Sequence, residues 1–132
     1  MDISLCCINR VAGKLEFAGA NNPLYIVRDG TLTSIKADKM PIGFYFTPGV
    51  SFTNNETELK KEDCLYLFSD GYADQFGGPD GKKFMNRRFE ELLLEISGQP
   101  MQNQKELLIE RLNIWKGDND QVDDILVIGI KV

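Results

Sequence analysis

The sequence predicts an α+β fold, a mainly antiparallel sheet system with helices on one face. Three observations lead there. Apolar runs of strand length come first, two stretches of helical periodicity follow, and one more apolar run closes the chain. That order lacks the strand–helix alternation a parallel sheet requires.

Residues 3–8 form a short, largely apolar run suited to a buried strand. Val11-Ala12-Gly13-Lys14 reads as a turn, and Leu15-Glu16-Phe17 as the second strand of a hairpin. Residues 19–23 form a loop in which Gly and Asn supply unusual backbone angles. Residues 24–27 and 32–35 flank Arg28-Asp29-Gly30-Thr31, where Asp-Gly is a strong hairpin signal. Pro41-Ile42-Gly43 opens a less regular stretch that runs through Pro48 and Gly49. Residues 50–59 alternate in part and read as a half-exposed strand.

Cys64-Leu65-Tyr66-Leu67-Phe68 is a continuous apolar run with β-prone aromatics, so it predicts a central strand buried on both faces. Gly77-Gly78-Pro79-Asp80-Gly81 reads as a loop at the tip of a mobile flap. Phe89, Leu92, Leu93 and Ile96 fall at i, i+3, i+4, i+7, an amphipathic helix that Gly98 ends. Leu108, Leu112 and Trp115 mark a second helix over 100–117, with these side chains in the core. Residues 125–130 are the last strand. No repeat, linker or low-complexity segment interrupts 1–132, which reads as a single domain. The chain opens directly in a strand, as a piece of a larger domain would.

The 132 residues are 42% hydrophobic and 27% charged, ordinary values for a globular protein with a genuine core. No apolar run approaches the ~18 residues of a membrane span, and the first residues lack the basic segment of a signal peptide. The net charge is −5, with basic residues single or in pairs. Without a basic stripe, nucleic acid and anionic membrane are poor partners. Cys6, Cys7 and Cys64 are odd in number and two are adjacent, which argues against a disulfide framework and for a reducing, cytoplasmic setting.

Histidine is absent. That removes a Ser-His-Asp triad, a Cys-His nucleophile and every histidine-containing metal site. Acid–base work falls to carboxylates, lysine or metal-bound water. Ser69 has no base to activate it and reads as a hydrogen-bonding residue at a turn.

Two acidic clusters end the two most apolar strands. Asp70 closes the strand of residues 64–68, and Asp123-Asp124 precede the strand of residues 125–130. If these strands run antiparallel in one sheet, Asp70 and Asp123 come to the same sheet edge, with Gly71 letting the chain turn sharply between. Converging carboxylates repel unless a cation neutralises them, and hard oxygen ligands favour Mg²⁺ or Mn²⁺. Paired ions of this kind activate water and clamp a phosphoryl group. On spacing alone, however, Asp-Gly after a strand is most often a turn, and Asp-Asp before one a solvated end.

Ala18-Gly19-Ala20-Asn21-Asn22-Pro23-Leu24-Tyr25, Leu65-Tyr66-Leu67-Phe68-Ser69-Asp70-Gly71 and Gln121-Val122-Asp123-Asp124-Ile125 follow one another along the chain. In this order they resemble three segments of the sporulation stage II E-like phosphatases, a bacterial branch of the metal-dependent type 2C protein phosphatases. Lys36-Ala37-Asp38-Lys39-Met40-Pro41-Ile42-Gly43 also resembles that branch. The resemblance covers essentially the whole chain. It implies an antiparallel β-sandwich with helices packed outside, N-terminally truncated, so that 1–132 is the C-terminal portion of a phosphatase domain.

By this similarity Asp70 and Asp123 correspond to two metal ligands of a two-metal Mn²⁺ or Mg²⁺ site, acting in catalysis through the bound metal. Gly71 and Asp124 support them, and Asp74 would orient a metal-bound water or sit at the surface. The Asn21-Asn22-Pro23 loop is structural. The family's remaining ligands lie in a Gly-Asp-x-x-Gly-His-Gly motif that this chain lacks. Hydrolysis of phosphoserine or phosphothreonine is therefore expected of the parent domain, and weak or no activity of this chain alone. The implied substrate is a phosphorylated regulatory protein of the anti-sigma-factor-antagonist type, and the parent would carry a sensor domain. A non-catalytic, pseudophosphatase-like binding module is the alternative. An incomplete sheet also predicts dimerisation through an exposed edge.

Two further patterns fail. A calcium loop beginning at Asp118 would need Gly at its sixth position and Glu at its twelfth, which are Asp123 and Gly129. The glycine-rich run before Lys82 is one residue short of a phosphate loop, and Lys83 stands where Ser or Thr is needed.

Overall fold

A computed structural model of the chain describes residues 1–43 and 49–132. The irregular stretch expected through Pro48 lies largely outside the described residues. In chain order the elements begin with β1 (Ile3–Asn9), β2 (Lys14–Ala20), β3 (Leu24–Arg28), β4 (Thr31–Ile35), β5 (Asn55–Glu58) and β6 (Cys64–Phe68). They continue with α1 (Gly71–Asp74), β7 (Phe76–Gly77), β8 (Lys82–Lys83), α2 (Asn86–Ile96), α3 (Met101–Lys116) and β9 (Val127–Lys131).

The sheets are antiparallel, one ordered β1-β2-β5 and the other β4-β3-β6-β9. Two-residue periodicity explains why β3 and β6 read as unbroken apolar runs. Leu24, Ile26 and Leu65 face Leu15, Phe17 and Leu59 to form the core between the sheets. Tyr25, Val27, Cys64, Tyr66 and Phe68 face the other way, onto Phe89, Leu92, Leu93, Ile96 and Leu108. Each strand thus feeds two cores, as a central strand must. The result is a β-sandwich with α2 and α3 on the outer face of the four-stranded sheet.

All four residues of the α2 stripe are buried. In α3, Leu108 is buried, while Leu112 and Trp115 are partly buried against the same core. Buried phenols fix α3 to the sheet: Tyr66 donates to Gln104 Oε1 at 2.7 Å and Tyr72 to the Leu108 carbonyl at 2.8 Å. Desolvation pushes both hydroxyls above their ordinary range, which keeps them neutral donors. The β3–β4 turn has Asp29 at φ 48° and Gly30 at φ 71°, the left-handed pair that a two-residue hairpin needs.

Four expectations need correction. The first strand is not buried: it is an edge strand whose residues alternate between exposed and half-buried, with Cys6 and Ile8 inward and Leu5 63% exposed. The strand expected over 50–59 shrinks to β5, because the Thr53 amide and hydroxyl bond the Asp38 carboxylate instead of a ladder. The last strand starts at Val127 and is also an edge, leaving Leu126 and Ile128 exposed. The glycine-rich loop is held rather than loose. It closes the β7–β8 hairpin, and the Gly78 amide donates to the Trp115 carbonyl at 2.8 Å. The three cysteines are free, and burial pushes the Cys6 thiol up to about 11, so it is a poor nucleophile.

Candidate metal centre

Strands β6 and β9 are antiparallel neighbours, with Phe68 opposite Val127 at the end of the ladder. The contact continues beyond it. The Ser69 amide donates to the Leu126 carbonyl at 3.0 Å, and the Leu126 amide donates to Ser69 Oγ at 3.0 Å. Ser69 Oγ itself donates to the Asp124 carbonyl at 2.7 Å. The serine hydroxyl replaces a missing ladder bond and keeps the two chains joined where regular pairing stops.

Gly71 is the next point of contact. A Cβ there would lie 2.4 Å from the Asp124 carbonyl oxygen and 2.9 Å from its carbon. Both are backbone atoms that cannot swing aside. Gly71 is not among the glycines with positive φ, so the turn does not demand it. Close approach does.

The structure therefore places the backbone around Asp70 against that of Asp124-Ile125, with Asp123 one residue before. Asp70, Asp123 and Asp124 are exposed. Asp70 sits at the N-cap of α1, yet its side chain makes no capping bond. Asp123 Oδ1 accepts the Asp124 amide at 2.7 Å, a local turn bond. Among the described residues no basic side chain neutralises any of the three. Asp74, by contrast, pairs with Lys83 at 3.1 Å at the surface.

Solvent-facing carboxylates without a cationic partner fit a hard divalent cation. The set is small, however: among the described residues no three His, Cys, Asp or Glu groups are placed to share a metal ion. Among the described residues, the junction brings together the backbone of the segments that carry Asp70 and Asp123-Asp124. The buried amide of Gln75, which sequence reasoning passed over, bonds the Asp120 carbonyl, three residues before Asp123. A lone glutamine after Asp74 carries no periodic signal.

A sequence profile of the Stage II sporulation protein E (SpoIIE) family matches residues 1–132. The chain belongs to the SpoIIE family. Among solved structures, the SiaA-PP2C domain of Pseudomonas aeruginosa is 32% identical, with a TM-score of 0.91 over 99% of this chain and 51% of that one. The phosphatase domain of SpoIIE from Bacillus subtilis is 18% identical, with a TM-score of 0.67 over 98% of this chain and 57% of that one. The catalytic domain of the serine/threonine protein phosphatase PstP, solved with two manganese ions, is 21% identical, with a TM-score of 0.63 over 97% and 56%. These agree with a type 2C phosphatase fold, of which this SpoIIE-family chain spans about half the length. No curated protein sequence matches it.

Proposed function

We propose that the chain is the C-terminal portion of a metal-dependent protein serine/threonine phosphatase domain, in which Asp70 and Asp123 are metal ligands. The observation that supports this reading is the clasp of Ser69 and Gly71 onto Asp124–Leu126, through the Ser69 hydroxyl and the close approach at Gly71, beside the positions of Asp70 and Asp123. Asp70 and Asp123 would hold Mn²⁺ or Mg²⁺, which supplies charge neutralisation and Lewis acidity for phosphoryl transfer when bound. Gly71 keeps the two segments in contact, and Asp124 contributes its carbonyl to the clasp. The substrate is a phosphorylated regulatory protein of the anti-sigma-factor-antagonist type, in the cytoplasm, and the full-length protein is the active form. Exposed Leu5 and Ile128 on the edge strands, with Leu126 just before β9, suit a chain that packs against more protein than these 132 residues.

Calorimetric titration with Mn²⁺, followed by a phosphopeptide assay, tests this on both the 132-residue chain and the full-length protein. Cation-dependent phosphate release is expected from the full-length protein, with little from the chain alone. Full-length protein that turns over nothing with either cation sinks the reading. The scarcity of ligands among the described residues favours one rival, a non-catalytic docking module. Partner binding indifferent to Mn²⁺ would select it.

A further inference from the structure

Gln75 is wholly buried, at 0% exposure. Its Nε2 donates to the Asp120 carbonyl at 2.9 Å and to the Phe76 carbonyl at 3.0 Å. Its own backbone carbonyl accepts the Trp115 indole N–H at 3.0 Å and the Phe84 amide at 2.9 Å. One residue thereby joins the end of α1, the β7–β8 hairpin, the last turn of α3 and the acidic loop of 118–124.

A glutamine is a poor choice here for packing alone. Its Oε1 is buried and has no partner among the described residues. An orphaned buried acceptor destabilises a fold, whereas an apolar side chain of the same volume does not. What the amide supplies in return is the Nε2 donor to two backbone carbonyls. Position in the chain shows what that donor ties together. Ser69 precedes Asp70 and bonds Asp124 and Leu126, which follow Asp123. Gln75 follows Asp70 and bonds Asp120, which precedes Asp123. The two aspartate-bearing segments are cross-tied on both sides of the aspartates.

We infer that Gln75 is a positioning residue for the cation site, holding the 118–124 loop so that Asp123 stays in register with Asp70. This inference rests on the phosphatase reading above. It is distinct from a general packing role because it predicts a selective effect. Loss of the Nε2 donor loosens one loop and weakens cation binding, while the chemistry at saturating cation is retained.

The test uses the full-length protein with Gln75→Met, which keeps the volume, and Gln75→Leu, a shorter apolar side chain. Both lack the amide donor. The Kd for Mn²⁺ is measured by calorimetry, kcat at saturating Mn²⁺ with a phosphopeptide, and amide hydrogen exchange across the chain. The expected result is a Kd raised about tenfold, as for other residues that support metal ligands, with kcat at saturating Mn²⁺ close to that of wild type. Exchange should quicken in 118–124 and stay unchanged in α2. A folded variant with wild-type Kd and wild-type loop exchange overturns the inference. Should neither variant fold, the Gln75 side-chain amide protons of the wild type decide by NMR. Slow exchange supports the tie, and exchange at the free-amide rate overturns it. Absence of Mn²⁺ binding in the wild type is a separate failure: it rejects the phosphatase reading, while loop exchange still reports on the tie.

Discussion

Ser69 and Asp124 are joined across 55 residues of sequence by a 2.7 Å hydrogen bond from the serine hydroxyl to the aspartate carbonyl. The same hydroxyl accepts the Leu126 amide at 3.0 Å. A single side chain thus closes the gap between the end of β6 and the approach to β9. Ser69→Ala removes both bonds at a partly exposed site and should cost about 1–2 kcal/mol. Chemical denaturation reads that loss, and the Mn²⁺ Kd of the full-length protein should rise with it.

Gly71→Ala drives a methyl group into the Asp124 carbonyl, 2.4 Å away. The backbone must part, at an overpacking cost of about 1–3 kcal/mol. Cation-dependent activity should fall at least tenfold, by analogy with other disturbed ligand supports. Circular dichroism should still show a folded protein. Wild-type activity in a folded Gly71→Ala variant would mean that the close approach has no bearing on the site.

A stability prediction concerns Asp63, whose side chain is buried and paired with Arg28 through contacts of 2.8 and 2.6 Å. Burial pushes this carboxyl up, but the Arg28 guanidinium and the Lys60 amide outweigh it, holding it below its ordinary 3.8. A depressed carboxylate contributes stability above its unfolded pKa and loses it as pH falls through the lower folded value. Asp63→Asn should therefore cost roughly 2 kcal/mol at neutral pH, discounted for the half-open arginine. The gap to wild type should close below about pH 4. Urea midpoints measured from about pH 7 down to about pH 3 test this, because stability follows the difference in protons bound by the folded and unfolded chains.

Gly77→Ala places a Cβ 1.8 Å from the Trp115 carbonyl. The β7–β8 hairpin would have to leave α3, breaking the Gly78–Trp115 bond. A loss of about 2 kcal/mol or more is expected from overpacking, seen as a lower Tm.

Much of the fold is legible in the sequence because its signals are local. The Asp29-Gly30 turn, the stripe of Phe89, Leu92, Leu93 and Ile96, and the apolar run of 64–68 each state their own structure. What misleads is anything set by neighbours. Residues 3–8 look buried, but β1 lies at an edge, and the apolar tail of 125–130 becomes the edge strand β9. Gly71 illustrates the same limit at the candidate site. Its presence after a strand suggests a turn, whereas the demand is the proximity of Asp124, 53 residues away in the sequence. Gln75 is invisible for a related reason, since a buried amide bonding distant carbonyls leaves no periodic trace.

Shared coordination of one cation site by Asp70 and Asp123 is tested most directly by a double-mutant cycle in the full-length protein. Mn²⁺ affinity and phosphopeptide turnover are measured for Asp70→Asn, Asp123→Asn and the pair, with folding checked by circular dichroism. Residues that ligate together lose their effect together, so each single variant should lose nearly as much as the double. Wild-type turnover in either single variant, or losses in the two that simply add, would contradict a shared site.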